Sequence, residues 1–192
     1  AGRPFANAGQ FRMEHDLRRS VITAIAETSE GPVKVEIRAH VPDDVIRIDI
    51  HDGRRTPGAM TLRLEEDAPA ALHSDETCGV CFWHENPADA VAPDKPENSG
   101  TGADIPGDNR GWLAGRVFGL DVKGEGESGS ISDRTLTFPA RARHSLLIAG
   151  VSTLGGKDRF VREARERQHK AVRAGGEAFV RTHEAWWDDF WR

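Results

Sequence analysis

The feature that most constrains this chain is a strict alternation of apolar and charged residues in several short, separate runs. In Val33-Lys34-Val35-Glu36-Ile37-Arg38-Ala39 every second residue is apolar. Ile46, Ile48 and Ile50 repeat the pattern around Arg47 and Asp49, and Met60, Leu62 and Leu64 repeat it around Thr61 and Arg63. A period of two gathers the apolar side chains on one face of a pleated strand, so each run predicts one dry face and one wet face. The breaks carry turn chemistry: Glu30-Gly31-Pro32, Pro42-Asp43-Asp44 and Asp52-Gly53. Short half-buried strands in close succession predict a mainly β fold, a two-layer antiparallel β-sandwich, rather than a parallel α/β sheet.

Strand patterning resumes over 117–122, 136–138 and 145–151, with the Gly/Ser-rich stretch from Gly124 to Ser130 read as a hairpin tip. Residues 84–111 are rich in proline and glycine and poor in large apolar residues, which predicts a long surface loop. From Lys157 the period becomes helical. Phe160, Ala164, Ala171 and Ala174 lie among charges, Gly175-Gly176 interrupt, and Glu177 to Arg192 resume with Phe179, His183, Trp186, Trp187, Phe190 and Trp191. The expected division is a sandwich over 1–152 and a helical linker over 153–192. On the second helix, the side carrying Phe179, His183, Trp186 and Phe190 is expected against the sandwich, with Trp187 and Trp191 turned away.

The 192 residues are enough for one core, and 38% apolar content with 20 glycines is that of a globular domain. A net charge of −5 argues against a nucleic-acid partner, which requires a basic field. No apolar run is long enough to span a bilayer, so no membrane partner is predicted, and no signal peptide is visible in this segment. The chain begins at Ala1 without an initiator Met and ends inside a helical pattern, which suggests a mature or cut segment.

Cys78 and Cys81 have C-x-x-C spacing with His73 and His84 nearby, a spacing that grips a metal only in a knuckle. A strand through Phe82-Trp83-His84 would turn the thiols apart, and no second pair exists, so the favoured reading is two free cysteines and no metal. Trp83, His84 and Asn86 bring an indole, an imidazole and an amide to one strand end, which could stack on and hydrogen-bond an oligosaccharide. The plainer reading is a half-buried tryptophan with a loop-capping asparagine. The adjacent acids Asp43-Asp44, Glu65-Glu66-Asp67 and Asp188-Asp189 read as solvated surface, because adjacency does not set the separation that glycoside hydrolysis needs. The cations between Lys157 and Arg173 alternate with acids at helical spacing and read as a self-paired helix. No phosphate cradle, nucleophile elbow or H-E-x-x-H occurs, and no cofactor is implied.

Four stretches together resemble the amino-terminal β-sandwich of bacterial glycoside hydrolases similar to the family-95 fucosidases. Phe11 to Leu17 followed by Val21 to Ala26 is similar to an early strand with an L-D-L-type centre, with His15 where the first leucine would stand. Trp83-His84-Glu85-Asn86 resembles an aromatic-H-x-N strand end, and Arg116-Val117-Phe118-Gly119 an R-x-F-G strand with Gly111-Trp112 in place of the upstream Asp-Pro. His183-Glu184-Ala185-Trp186-Trp187-Asp188-Asp189-Phe190-Trp191 resembles the helix that leads into an (α/α)6 catalytic barrel. The resemblance implies a supersandwich-like, non-catalytic domain that braces a catalytic barrel of the same polypeptide following Arg192. It implies a loop contributed to the substrate cleft, no catalytic residue in this chain, a domain interface at His183, Trp186, Trp187, Phe190 and Trp191, and a secreted or periplasmic location. A freestanding carbohydrate-binding or adhesion module and a metal-binding domain built on the C-x-x-C are the alternatives.

Overall fold

The computed structural model describes residues 5, 8–63, 73–75, 80–86, 115–126, 129–132 and 135–192. Among the described residues eleven strands form two sheets: β1 (Gln10–Asp16), β2 (Val21–Thr28), β3 (Gly31–His40), β4 (Val45–Asp52), β5 (Met60–Arg63), β6 (His73–Asp75), β7 (Val80–Glu85), β8 (Arg116–Gly124), β9 (Ser130–Ser132), β10 (Thr135–Phe138) and β11 (Arg143–Leu154). The large sheet has the order β1-β2-β3-β4-β11-β8-β7-β6 and the small sheet the order β5-β10-β9. Every pairing is antiparallel. The fold is mainly β and sandwich-like, as the alternation predicts.

The alternation also decides which residue belongs to which layer. On one face of the large sheet Phe82, Val122 and Leu146 meet Leu136 and Phe138 of the small sheet, with Ile48, Ile148, Met60 and Leu62 around them. The opposite face sends Val45, Cys81, Trp83, Val117, Leu147, Ala149 and Val151 toward two helices, α1 (Gly156–Ala174) and α2 (Gly176–Phe190). Phe160, Ala164, Ala171 and Phe179 from those helices join the same apolar cluster. The helical segment packs on this face of the sheet from Phe160 onward.

Glycine is required at two joints. A Cβ at Gly119 would overlap the Phe82 carbonyl, so the R-x-F-G glycine of β8 lets β7 approach closely. Gly155 and Gly156 have φ of 124° and 76° and turn β11 into α1 within two residues. The stretch from Gly124 to Ser130 does not close a hairpin between paired neighbours. It carries the chain from β8 in the large sheet to β9 in the small one, where β9 pairs with β10.

The half of the large sheet built by β1 to β4 is covered differently. On the small-sheet side Phe11, Met13 and Ile46 remain exposed, at 55%, 65% and 40%. On the helix side the middle residues of β3 and β4 are polar, and cross-strand pairing sets them in rows with β11. Lys34, His51 and Arg143 lie side by side, then Glu36, Asp49 and Ser145, then Arg38, Arg47 and Leu147.

Candidate functional site

The strand-end trio does not assemble. Trp83 is only 7% exposed, on the helix side of β7, with Phe160 at 6.4 Å between ring centroids and the Lys157 ammonium 5.0 Å above its ring. The indole is thus packed among Phe160 and Lys157 rather than set out at the strand end. Pleating turns His84 to the opposite face, where its Nε2 lies 3.2 Å from Asn86 Oδ1 and its ring tilts against Phe118 at 5.1 Å. Phe118 is an accessible ring at that end, 43% exposed, and its alternation with buried Val117 marks it as outward.

Cys81 is fully buried and stands opposite Asp121 in the β7–β8 register, whereas Cys78 lies outside the described residues. Burial raises the pKa of the Asp121 carboxyl, with the Cys81 thiol and the charges of Arg165 and Lys123 pulling the other way. Among the described residues no group of three or more His, Cys, Asp or Glu side chains converges to hold a metal. Asp121 sits fully buried beneath α1, where Gln168 donates to its backbone carbonyl at 2.8 Å.

The wet face of β3 and β4 is more closed than alternation alone predicts. Arg47 is 6% exposed because α2 crosses it, with the Phe179 ring 5.4 Å from its guanidinium. Arg47 Nε donates to Asp49 at 2.9 Å, its Nη2 pairs with Glu125 at 2.7 Å, and Arg38 pairs with Glu36 and Asp49 at 3.3 Å each. Ser145 Oγ donates to Asp49 at 2.7 Å. The network floors a cleft of about 430 Å³ bounded by Lys34, His51 and Arg143, with Val180 of α2 at its rim. The acids are matched by arginines within the network, so the cleft is a braced polar surface and offers no unopposed acid pair for bond cleavage.

Among the described residues the C-terminal ring cluster is the largest aromatic group. His183 is fully buried and its Nε2 donates to the Arg19 carbonyl at 2.7 Å, tying α2 to the turn between β1 and β2. His40, also buried, stacks on Phe179 with centroids 4.0 Å apart and lies 6.2 Å from the His183 ring. The Thr182 hydroxyl donates to Ala178 O at 2.9 Å, so it accepts from His40 Nε2 at 2.8 Å, while His40 Nδ1 accepts from the Asp43 amide at 3.2 Å. The same Nδ1 lies 3.1 Å from the Asp43 carboxylate. Burial lowers the pKa of both histidines; for His40 the Asp43 carboxylate opposes the shift, and for His183 its bond to Arg19 does.

Beyond His183 the buried line of α2 differs from the expected one. Trp187 contacts His183 edge to face at 6.4 Å, and its indole nitrogen is shut from solvent. Trp186 instead stacks on Phe190 at 5.5 Å, and Phe190 and Trp191 are 58% and 55% exposed. Phe179 and His183 are thus the buried side chains of α2, Trp186 and Trp187 are both half-buried, and Phe190 of the expected side stays exposed. Leu17 and Arg18 of the β1–β2 turn border a hollow beside Trp191 and Asp188, and Leu17 is 66% exposed. Phe190, Trp191 and Leu17 thus share one apolar corner of the molecule. Comparison with known proteins gives no matching family model and no matching curated protein.

Proposed function

We propose that this chain is the non-catalytic accessory domain of a carbohydrate-active glycoside hydrolase, bracing a helical catalytic domain of the same polypeptide. The observation that carries this reading is the ring cluster at the end of α2. Trp186, Trp187, Phe190 and Trp191 lie within 6.4 Å of one another in successive pairs, yet Phe190 and Trp191 stay more than half exposed. Rings of that size in water are costly and mark an interaction surface when clustered. Their sequence context is the H-x-A-W-W-x-x-F-W pattern that resembles the entry to a catalytic barrel.

The deciding experiment is to read the gene downstream of the Arg192 codon and assay the complete product on aryl glycosides. The expected result is a continuing frame with helical repeats, activity in the longer product, and none in this chain alone. A stop codon at that point, or turnover by this chain purified to homogeneity, would contradict the reading.

A further inference from the structure

The eight-stranded sheet ends in two unlike edges. The β6 edge is three residues long, whereas β1 runs for seven residues, all exposed, and among the described residues its only strand neighbour is β2. A long open edge offers a row of unpaired backbone donors and acceptors, and natural proteins blunt such edges with charge. In β1 the charges do not simply blunt the edge; they select one partner. We propose that β1 is a self-recognition edge, pairing antiparallel with β1 of a second copy about a two-fold axis through Met13.

Pleating allows only registers that place residues of like facing opposite each other. With Met13 opposite Met13, Arg12 of each copy faces Glu14 of the other, Phe11 faces His15, and Gln10 faces Asp16. Both guard charges are then matched, twice over. Sliding one in-phase step in either direction puts Arg12 against Arg12 or Glu14 against Glu14, and like charges directly opposite are destabilising. Arg12 and Glu14 already lie 3.5 Å apart along the strand with more than half of each side chain in solvent, so both can reach across. Met13, 65% exposed, and Phe11, 55% exposed, gain cover on the other face. The axis is perpendicular to the sheet, so the helices of both copies lie on the same side and the contact is isologous and closed. Such an interface lies at the small end of the range, so the dimer is weak and forms at micromolar or higher concentration.

Sedimentation velocity over a concentration series tests this, together with two sets of variants of exposed residues. The wild-type chain should show a reversible monomer–dimer equilibrium. Arg12→Glu, which opposes Glu to Glu at both ends, should weaken it by about tenfold or more, and Arg12→Glu with Glu14→Arg should restore it. Mild oxidation of Met13→Cys should yield a dimer whose linking peptide joins position 13 to itself, whereas Phe11→Cys should not link to itself. A monomer at every concentration overturns the proposal. So does a dimer indifferent to Arg12→Glu, or one that cross-links as readily at position 11.

Discussion

The two helices lie on one face of the same sheet and are comparably amphipathic, yet they use that face differently. Helix α1 buries Phe160, Ala164, Gln168 and Ala171, one strip of a ring, two small residues and an amide. The alanines let the helix lie close to β11 and β8, and Gln168 satisfies two strand carbonyls, of Asp121 and Leu147, at 2.8 and 3.3 Å. Helix α2 buries Phe179 and His183 over the sheet and then carries its heaviest rings to a corner where they contact mainly one another. Side chains small enough to seat, with hydrogen bonds closed, belong to an interface complete within the chain. On the proposed reading, large rings left half in water belong to one that takes another surface.

That contrast breaks most sharply at Phe160, which is fully buried against Trp83. Phe160→Ala should cost about 3–5 kcal/mol, read from the urea midpoint, since removing a core ring loses transfer energy and leaves a cavity. Gln168→Ala should cost less, about 1–3 kcal/mol, by stranding two carbonyls beneath α1. A change near zero there would mean that water takes over both bonds and that α1 is not sealed to the sheet.

The histidines sharpen the comparison from the α2 side. Burial holds His40 and His183 below the ordinary imidazole value, so as pH falls the unfolded chain takes up protons before the folded one. Stability should be fully present above about pH 6.5 and should decline as pH drops below it, until the folded imidazoles themselves titrate. The Asp52 carboxyl, held down to about 2 chiefly by its bond to Arg54, adds loss only in a separate window, below the ordinary carboxylate range of about 4. Urea midpoints measured between about pH 7 and pH 5 should therefore fall, and a His183→Gln variant should flatten the slope.

Much of this contrast is legible in the sequence. Period-two runs locate β3, β4 and β5, the change of period at Lys157 finds α1 to within a residue, and Gly175 marks the break before α2. Layer assignment is less legible, because alternation says which residues share a face but not what covers it. Arg47 reads as a solvent residue from its neighbours and becomes buried only because α2 returns over β4. Trp83 misleads for the same reason: its place at a strand end makes it a candidate surface ring, yet β7 turns it into the core, while Phe190, expected on the docked side of α2, is left exposed. The His183 bond to the Arg19 carbonyl spans 164 residues and has no local signature at all.

The central claim is that the outer rings of α2 are a surface for another body and not part of this chain's own core. The most direct measurement is chemical denaturation of the double variant Trp186→Ala with Phe190→Ala beside Phe160→Ala. The account predicts a loss of no more than about 1 kcal/mol for the pair of outer rings, against about 3–5 kcal/mol for the single inner one. Equal losses would contradict it, since the outer rings would then be holding this fold together rather than waiting for a partner.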